Sequence, residues 1–188
     1  MKREIPPRRA NRLLNAGCVV FVTAQNGGRS NFMPAAWVSP VSHEPPLCCV
    51  AVAPKRFTHD LIASSGCFGL AVPGLDLIEK VRRAGDISGA DVSDKFAEIG
   101  LTAVSGSKLG VPRIEECLAN LECRVVNTLT TGDHTLFIGR VVAAEADPRA
   151  FDETWLLPAD RSLRPVHHLG GEWFAVLEGR LHVPKMVG

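Results

Sequence analysis

The sequence contains no tyrosine, and its only other aromatic residues besides histidine are eight Phe and three Trp in 188 residues. Proton donation or ring stacking by a phenol is excluded, so any aromatic role at a site falls to Trp, Phe or His. Net charge is almost absent too, because 21 Lys and Arg face 20 Asp and Glu, leaving +1. A chain without a basic field does not hold nucleic acid or an anionic membrane by counterion release. The longest apolar runs, such as Leu47 to Pro54, are far too short to span a bilayer as a helix, which needs about 20 residues. No C-x-x-C pair occurs, which excludes a zinc ribbon and a thioredoxin-type dithiol. G-x-x-x-x-G-K-[ST], G-x-G-x-x-G after a strand and the G-x-S-x-G elbow are also missing, so neither triphosphate binding, a dinucleotide fold nor a serine hydrolase has support. Chemistry, if present, then belongs to a bound cofactor that the protein positions.

What is present fits one globular domain over residues 1–188, with 46% apolar residues and 22% charged. The basic start, Met1 to Arg9, leads into Ala10-Asn11-Arg12-Leu13-Leu14 without the apolar stretch of an export signal, and a cytoplasmic protein is expected. Cys18, Cys48, Cys49, Cys67, Cys117 and Cys123 lie mostly in apolar runs and read as free thiols acting as small hydrophobes. No metal site is expected. His167-His168 in an extended segment face opposite ways and would chelate poorly.

Along the chain, a short basic helix around Arg8–Leu14 is followed by a strand over Gly17–Ala24 and a turn at Gln25-Asn26-Gly27-Gly28. Ser30 to Val41 is extended but broken by Pro34 and Pro40, which predicts a bent, partly paired edge. Leu47–Ala53 is continuously apolar and predicts a strand buried on both faces. A helix over Thr58–Ser65, stopped at Gly66, precedes a strand over Cys67–Val72. Further helices are expected from Leu75 to Val81, before Gly85, and from Asp94 to Ile99 with Ser93 as cap and Gly100 as stop. Two long strands, Ala119–Leu129 and Thr135–Glu145, are joined at Thr131-Gly132-Asp133-His134, and the tail after Ala146 is expected to wrap the barrel. Many strands with helices inserted irregularly predict a mainly β fold, a β-barrel with inserted helices, not a doubly wound sheet.

Three segments carry chemistry. In Asn31-Phe32-Met33-Pro34-Ala35-Ala36-Trp37, small residues and proline bring backbone close to a flat ligand and leave N–H and C=O groups free to read a heterocycle edge; a kinked edge strand with Trp37 in the core is the plainer alternative. In Ala53-Pro54-Lys55-Arg56-Phe57-Thr58, two cations precede a Thr placed to cap a helix, an arrangement suited to a phosphate monoester; two solvated cations before a capped helix read equally well. In Gly132-Asp133-His134, the imidazole starts a strand at the barrel end, where Asp133 can orient it; an ordinary surface histidine is the alternative.

In this order the segments resemble the flavin reductase-like family, the FMN-binding split barrels that include flavoredoxin and the small reductase partners of two-component monooxygenases. The resemblance covers Gly17 to Val176 and includes Ser65-Gly66-Cys67-Phe68, Asp94-Lys95-Phe96, Gly139-Arg140-Val141 and Arg164-Pro165-Val166-His167-His168-Leu169-Gly170-Gly171. It implies a homodimer with FMN near the subunit interface. Asn31, Phe32, Met33, Pro34, Ala35, Ala36 and Trp37 would line the ring and ribityl chain, largely through backbone. Ala53, Pro54, Lys55, Arg56 and Thr58 would form the phosphate turn, which departs from the family in having Lys55-Arg56-Phe57 where serines are common. His134 would lie beside the flavin and nicotinamide. The implied activity is an NADH- or NADPH-dependent flavin reductase handing electrons to a monooxygenase or other acceptor protein. A non-catalytic FMN electron carrier of flavoredoxin type and a plain protein-interaction domain are the competing readings.

Overall fold

The computed structural model describes residues 6–183, so the reading of Met1–Ile5 as non-signal lies outside the described residues. After a 3-10 helix at Pro7–Leu14, the chain forms β1 (Gly17–Cys18), β2 (Val20–Asn26), β3 (Arg29–Ala35), β4 (Val38–Ser42) and β5 (Leu47–Val52). α1 (Phe57–Ser65), β6 (Cys67–Val72), a 3-10 turn at Leu75–Leu77, α2 (Ile78–Asp86) and α3 (Lys95–Ile99) follow. β7 (Ala103–Ser105) and β8 (Pro112–Ile114) precede the long pair β9 (Ala119–Thr131) and β10 (His134–Ala146). The tail makes β11 (Phe151–Asp152), β12 (Thr154–Trp155), β13 (Val166–Gly170) and β14 (Trp173–Val176).

Seven strands pair antiparallel in the order β3-β2-β6-β9-β10-β5-β4. The two outermost strands are consecutive in sequence, joined only by Ala36 and Trp37. The chain thus leaves the sheet at one edge and re-enters at the other, so the sheet curls into a barrel that stays split at this connector. Each edge strand holds one of the two prolines, Pro34 on β3 and Pro40 on β4, where a missing N–H costs no ladder bond. Gly27 and Gly28, both at positive φ, make the two-residue turn between β2 and β3, the I′ pattern that matches strand twist.

Alternation along β2 divides the core. Val20, Val22 and Ala24 face the barrel interior with Val50, Val52, Phe68 and Phe137, and α1 adds Leu61 and Ile62 to this cluster. Phe21 points the other way, toward Phe32, Phe96, Val81 and Ile114 under α2 and α3. Gly139 is required where it is: a Cβ there would sit 2.6 Å from the Phe68 ring and 3.0 Å from the Cys123 Cβ.

Several expectations change. The first strand is interrupted at Val19, whose N–H bonds the Val166 carbonyl, because the chain passes from pairing with β13 to pairing with β3. β5 alternates, with Cys48, Val50 and Val52 in the core and Leu47, Cys49 and Ala51 half-buried on a face that borders a cavity. The first middle helix runs through Gly85 to Asp86. Asp94, not Ser93, caps α3, accepting from the N–H groups of Phe96 and Ala97. All six cysteines are free thiols.

Candidate functional site

A cavity of about 690 Å³ opens at the split in the barrel, within the range of small-molecule sites. The connector forms one wall through Met33, Pro34, Ala35, Ala36 and Trp37, held to β5 by the Ala51 N–H bonding the Trp37 carbonyl at 3.0 Å. Ala51, Ala53, Pro54, Lys55 and Arg56 form the next wall, Val81, Arg82 and Gly85 of α2 another, and Asp133 with His134 the hairpin side. His168, Gly171 and Phe174 of the β13–β14 hairpin, with Val19, complete the lining.

At the α1 end the cavity continues into a smaller annex of about 220 Å³, the two sharing Met33, Pro34, Lys55, Arg56 and Gly85. Asn31, Thr58, Lys95 and the Ile87–Gly89 segment line the annex. Arg56 is the N-cap position of α1 and has no side-chain cap bond. Thr58 is therefore not the cap expected from sequence: it sits inside the first turn, buried, its hydroxyl accepting from Asn31 Nδ2 at 2.9 Å. The other amide atom, Asn31 Oδ1, is buried without a partner, and Gly89 presses on it so closely that a Cβ there would lie 2.0 Å away. Lys95 is only 3% exposed; its Nζ donates to the Ala84 carbonyl and sits 5.2 Å from the centre of the Phe32 ring. Burial, reinforced by the Arg56 guanidinium, pushes the Lys95 ammonium down to about 8. Arg29 closes the rim, stacked over Phe57 and bonding the Gly89 carbonyl. Lys55, Arg56 and Lys95 against one carboxylate, Asp86, suit a phosphate or similar anion, and the free Asn31 Oδ1 suits a hydroxyl donor beside it.

On the hairpin side, Asp133 Oδ1 lies 2.7 Å from His134 Nδ1, and the bond to the imidazole holds the Asp133 carboxyl below its ordinary range. With that nitrogen engaged, Nε2 is left for the cavity. The ring stacks obliquely on Trp37, centroids 4.8 Å apart.

The structure gathers most of the residues singled out from sequence around the paired chambers, but not in one role. Met33, Pro34, Ala35, Ala36, Trp37, Ala53, Pro54, Lys55, Arg56 and His134 line the main cavity, whereas Asn31 and Thr58 belong to the annex. Phe32 lines neither; its ring is fully buried against Phe21 and Phe96, so it is not available for stacking on a ligand. The β3 period of two explains this, since Asn31 and Met33 take one face and Phe32 the other. Lys95 and His168 were not expected here. A lone cation in a short helix otherwise buried through Phe96 and Ile99 was the available signal for Lys95. The alternation at His167-His168 correctly separates the two rings without saying which one meets a cavity. Among the described residues no group of three or more His, Cys, Asp or Glu is placed to hold a metal ion, and no helix is long and apolar enough to cross a membrane.

The flavin reductase like domain model matches residues 13–167. An uncharacterized protein of Archaeoglobus fulgidus is 47% identical over 61% of this chain and 64% of its own length, and the Escherichia coli protein YddH is 40% identical over 93% of this chain and 95% of its own. A Streptomyces globisporus NADH-dependent FAD reductase is 29% identical over 69% of this chain and 70% of its own. The crystal structure of an FMN-binding protein from Thermus thermophilus superposes with a TM-score of 0.83 at 28% identity, covering 98% of this chain and 99% of that one. A flavoredoxin from Methanosarcina acetivorans gives 0.83 at 26% identity, covering 99% and 96%. The chain belongs to the flavin reductase-like family, and its mainly β fold is the FMN-binding split barrel of that family.

Proposed function

We propose that this protein binds FMN and acts as an NAD(P)H-dependent flavin reductase, passing the electrons to a second acceptor. The observation that carries the reading is the joined pair of chambers: one is wide, mostly apolar and walled by backbone and Trp37, and the other is small and cationic with a buried amide oxygen left without a donor. A flat heterocycle bearing a phosphate monoester matches both parts, and the residues fit FMN.

Lys55, Arg56, Lys95 and the first-turn N–H groups of α1 would hold the phosphate. Asn31 Oδ1 would accept from a hydroxyl of the sugar alcohol, the Thr58 hydroxyl would meet a sugar-alcohol or phosphate oxygen, and the backbone of Met33 to Trp37 would flank the ring. Bound there, the flavin supplies hydride acceptance from a nicotinamide and electron delivery onward. The chain's own contribution is positional: the connector fixes the ring plane, and Asp133 fixes the His134 tautomer so that Nε2 faces the nicotinamide or the reduced ring. Exposed Trp173, Leu169 and Leu177 lie on or just after the hairpin that borders the cavity. They support the proposal that a second copy of the chain covers this side in a homodimer.

Protein loaded with FMN should be yellow and should bleach anaerobically with NADH or NADPH. Thr58→Val combined with Arg56→Ala should weaken FMN by about 10- to 100-fold, since charged phosphate bonds are each worth about 1.5–3 kcal/mol. His134→Ala should slow reduction more than it weakens FMN. No FMN affinity at all would end the proposal. Tight FMN binding without oxidation of either nicotinamide would instead favour an electron carrier of flavoredoxin type.

A further inference from the structure

His134 sits where strand pairing runs out. Thr135 is the first residue of β10 with partners on both sides, Val52 on β5 and Thr130 on β9, whereas His134 pairs only with Thr131. The chain from Val126 to Asp133 is exposed. A two-strand ribbon end of this kind frays unless something beyond the ladder holds it.

Thr135 has such a hold. Its side chain is buried, and Oγ1 lies 2.9 Å from Nε2 of His59. His59 belongs to the first turn of α1, its N–H bonded to the Arg56 carbonyl. Its Nδ1 faces Asp60 Oδ1 at 3.4 Å, and its ring packs edge-on against Phe137, centroids 5.2 Å apart. With the proton on Nδ1 toward the carboxylate, Nε2 accepts the Thr135 hydroxyl.

We propose that His59 is a positioning residue for His134: through Thr135 it locks the start of β10 to the helix whose N-terminus carries the anion turn, so that the imidazole at the cavity and the Lys55–Arg56 turn are held in one frame. The proposal rests on the flavin reductase reading above. His59 itself lines neither chamber, and nothing in its contacts requires that it meet a ligand.

The test uses His59→Phe, which keeps a ring against Phe137, and Thr135→Val, which keeps the shape of the threonine. Three quantities are compared with wild type: FMN dissociation constant, anaerobic reduction rate at saturating nicotinamide, and the nitrogen-detected NMR signals of the His134 ring in FMN-free protein. Each variant should slow reduction by about 3- to 10-fold while leaving the FMN constant within about twofold. The double variant should be no slower than the slower single one, because both break one link. The His134 signals should shift or broaden in both, and His59→Gln, whose amide can still meet the hydroxyl, should recover most of the rate. Wild-type rates and His134 signals in both single variants would overturn the proposal. So would an FMN constant that weakens in step with the rate, since His59 would then merely shape the phosphate turn. If wild type itself is not reduced by either nicotinamide, the reductase reading fails separately, and the His134 signals alone decide the linkage: unchanged signals in both variants overturn it.

Discussion

Two polar cradles among the described residues differ in what fills them: the chain itself fills one, and the other is the annex that we propose takes an anion. On β9, Glu122 is 1% exposed and turns its carboxylate into the Ser107–Leu109 loop, where it accepts the N–H groups of Ser107 at 2.6 Å, Lys108 at 3.1 Å and Leu109 at 2.6 Å, plus the Ser107 hydroxyl. In the annex beneath α1, Lys55, Arg56 and Lys95 line the cavity with a single carboxylate, Asp86, and Asn31 Oδ1 has no partner. Both cradles use a glycine pressed against a polar side chain, Gly106 on Glu122 and Gly89 on Asn31. A nest of successive N–H groups around a resident carboxylate is complete and serves the fold. The annex instead holds three cations against one carboxylate and an acceptor, Asn31 Oδ1, without a donor, and this difference separates the structural anion site from the ligand site we propose.

The largest effect should come from emptying the complete cradle. Glu122→Gln puts an NH₂ group against donors that need an acceptor, and unfolding in urea should show a loss of about 2–4 kcal/mol. FMN affinity of the folded variant should not change. Weakened FMN binding at undiminished stability would erase the distinction between the two cradles.

Next is the converse. Lys95→Met removes a buried cation that has no ion-pair partner but also the donor to the Ala84 carbonyl, so stability should change by no more than about 1 kcal/mol in either direction, while FMN should bind about 10- to 100-fold more weakly. Calorimetric titration and a melting curve on the same sample check both halves.

The same pair should respond to pH in the same direction but in two separate windows. Burial pushes the Glu122 carboxyl up, but the N–H groups of Leu109, Lys108 and Ser107 and the Ser107 hydroxyl outweigh it and hold it below its ordinary value. Its stabilisation is therefore complete above the ordinary carboxyl range and is lost as pH falls through the lowered folded value. Lys95 is also lowered, to about 8 in the fold against 10.5 ordinarily, so its window lies at alkaline pH. Between those values the unfolded chain holds more protons, so stability of the ligand-free protein should rise with pH there. FMN affinity should fall over the same interval, by at most about tenfold per pH unit, as the cation is lost. Melting temperatures from pH 3 to 10.5 in wild type, Glu122→Gln and Lys95→Met separate these contributions.

How far the two cradles were legible differs for a physical reason. The barrel, its hairpins and the Lys55–Arg56 turn follow from local signals: β-branched alternation, Gly27-Gly28, and prolines that fit only edge strands. The annex is assembled from residues 27 to 64 positions apart, Asn31, Thr58 and Lys95, and no local period marks such a meeting. Asp94 and Ser93 are both good caps, so the cap of α3 was decided by backbone geometry alone. The period of two along β3 sends the Phe32 ring to the core, so that residue could reach a ligand only through its backbone. Glu122 looks in sequence like any charge in a strand, and only the Ser107–Leu109 loop folding over it makes it structural.

The smallest expected effect is also the one that isolates the annex from the flavin. If the annex is an anion site in its own right, inorganic phosphate alone should stabilise the wild-type protein by mass action, about 1.4 kcal/mol at tenfold excess over its dissociation constant. For a chain of this length that is a rise of about 3–6 °C in melting temperature. Sulfate at equal ionic strength should act similarly and chloride should not, because two or more oxygens must meet Arg56, Lys95 and the helix N-terminus together. Lys95→Met should abolish the rise and Glu122→Gln should keep it. Equal rises in wild type and Lys95→Met would mean that phosphate acts on the surface generally, and the annex would then have no more claim to an anion than the cradle that Glu122 already fills.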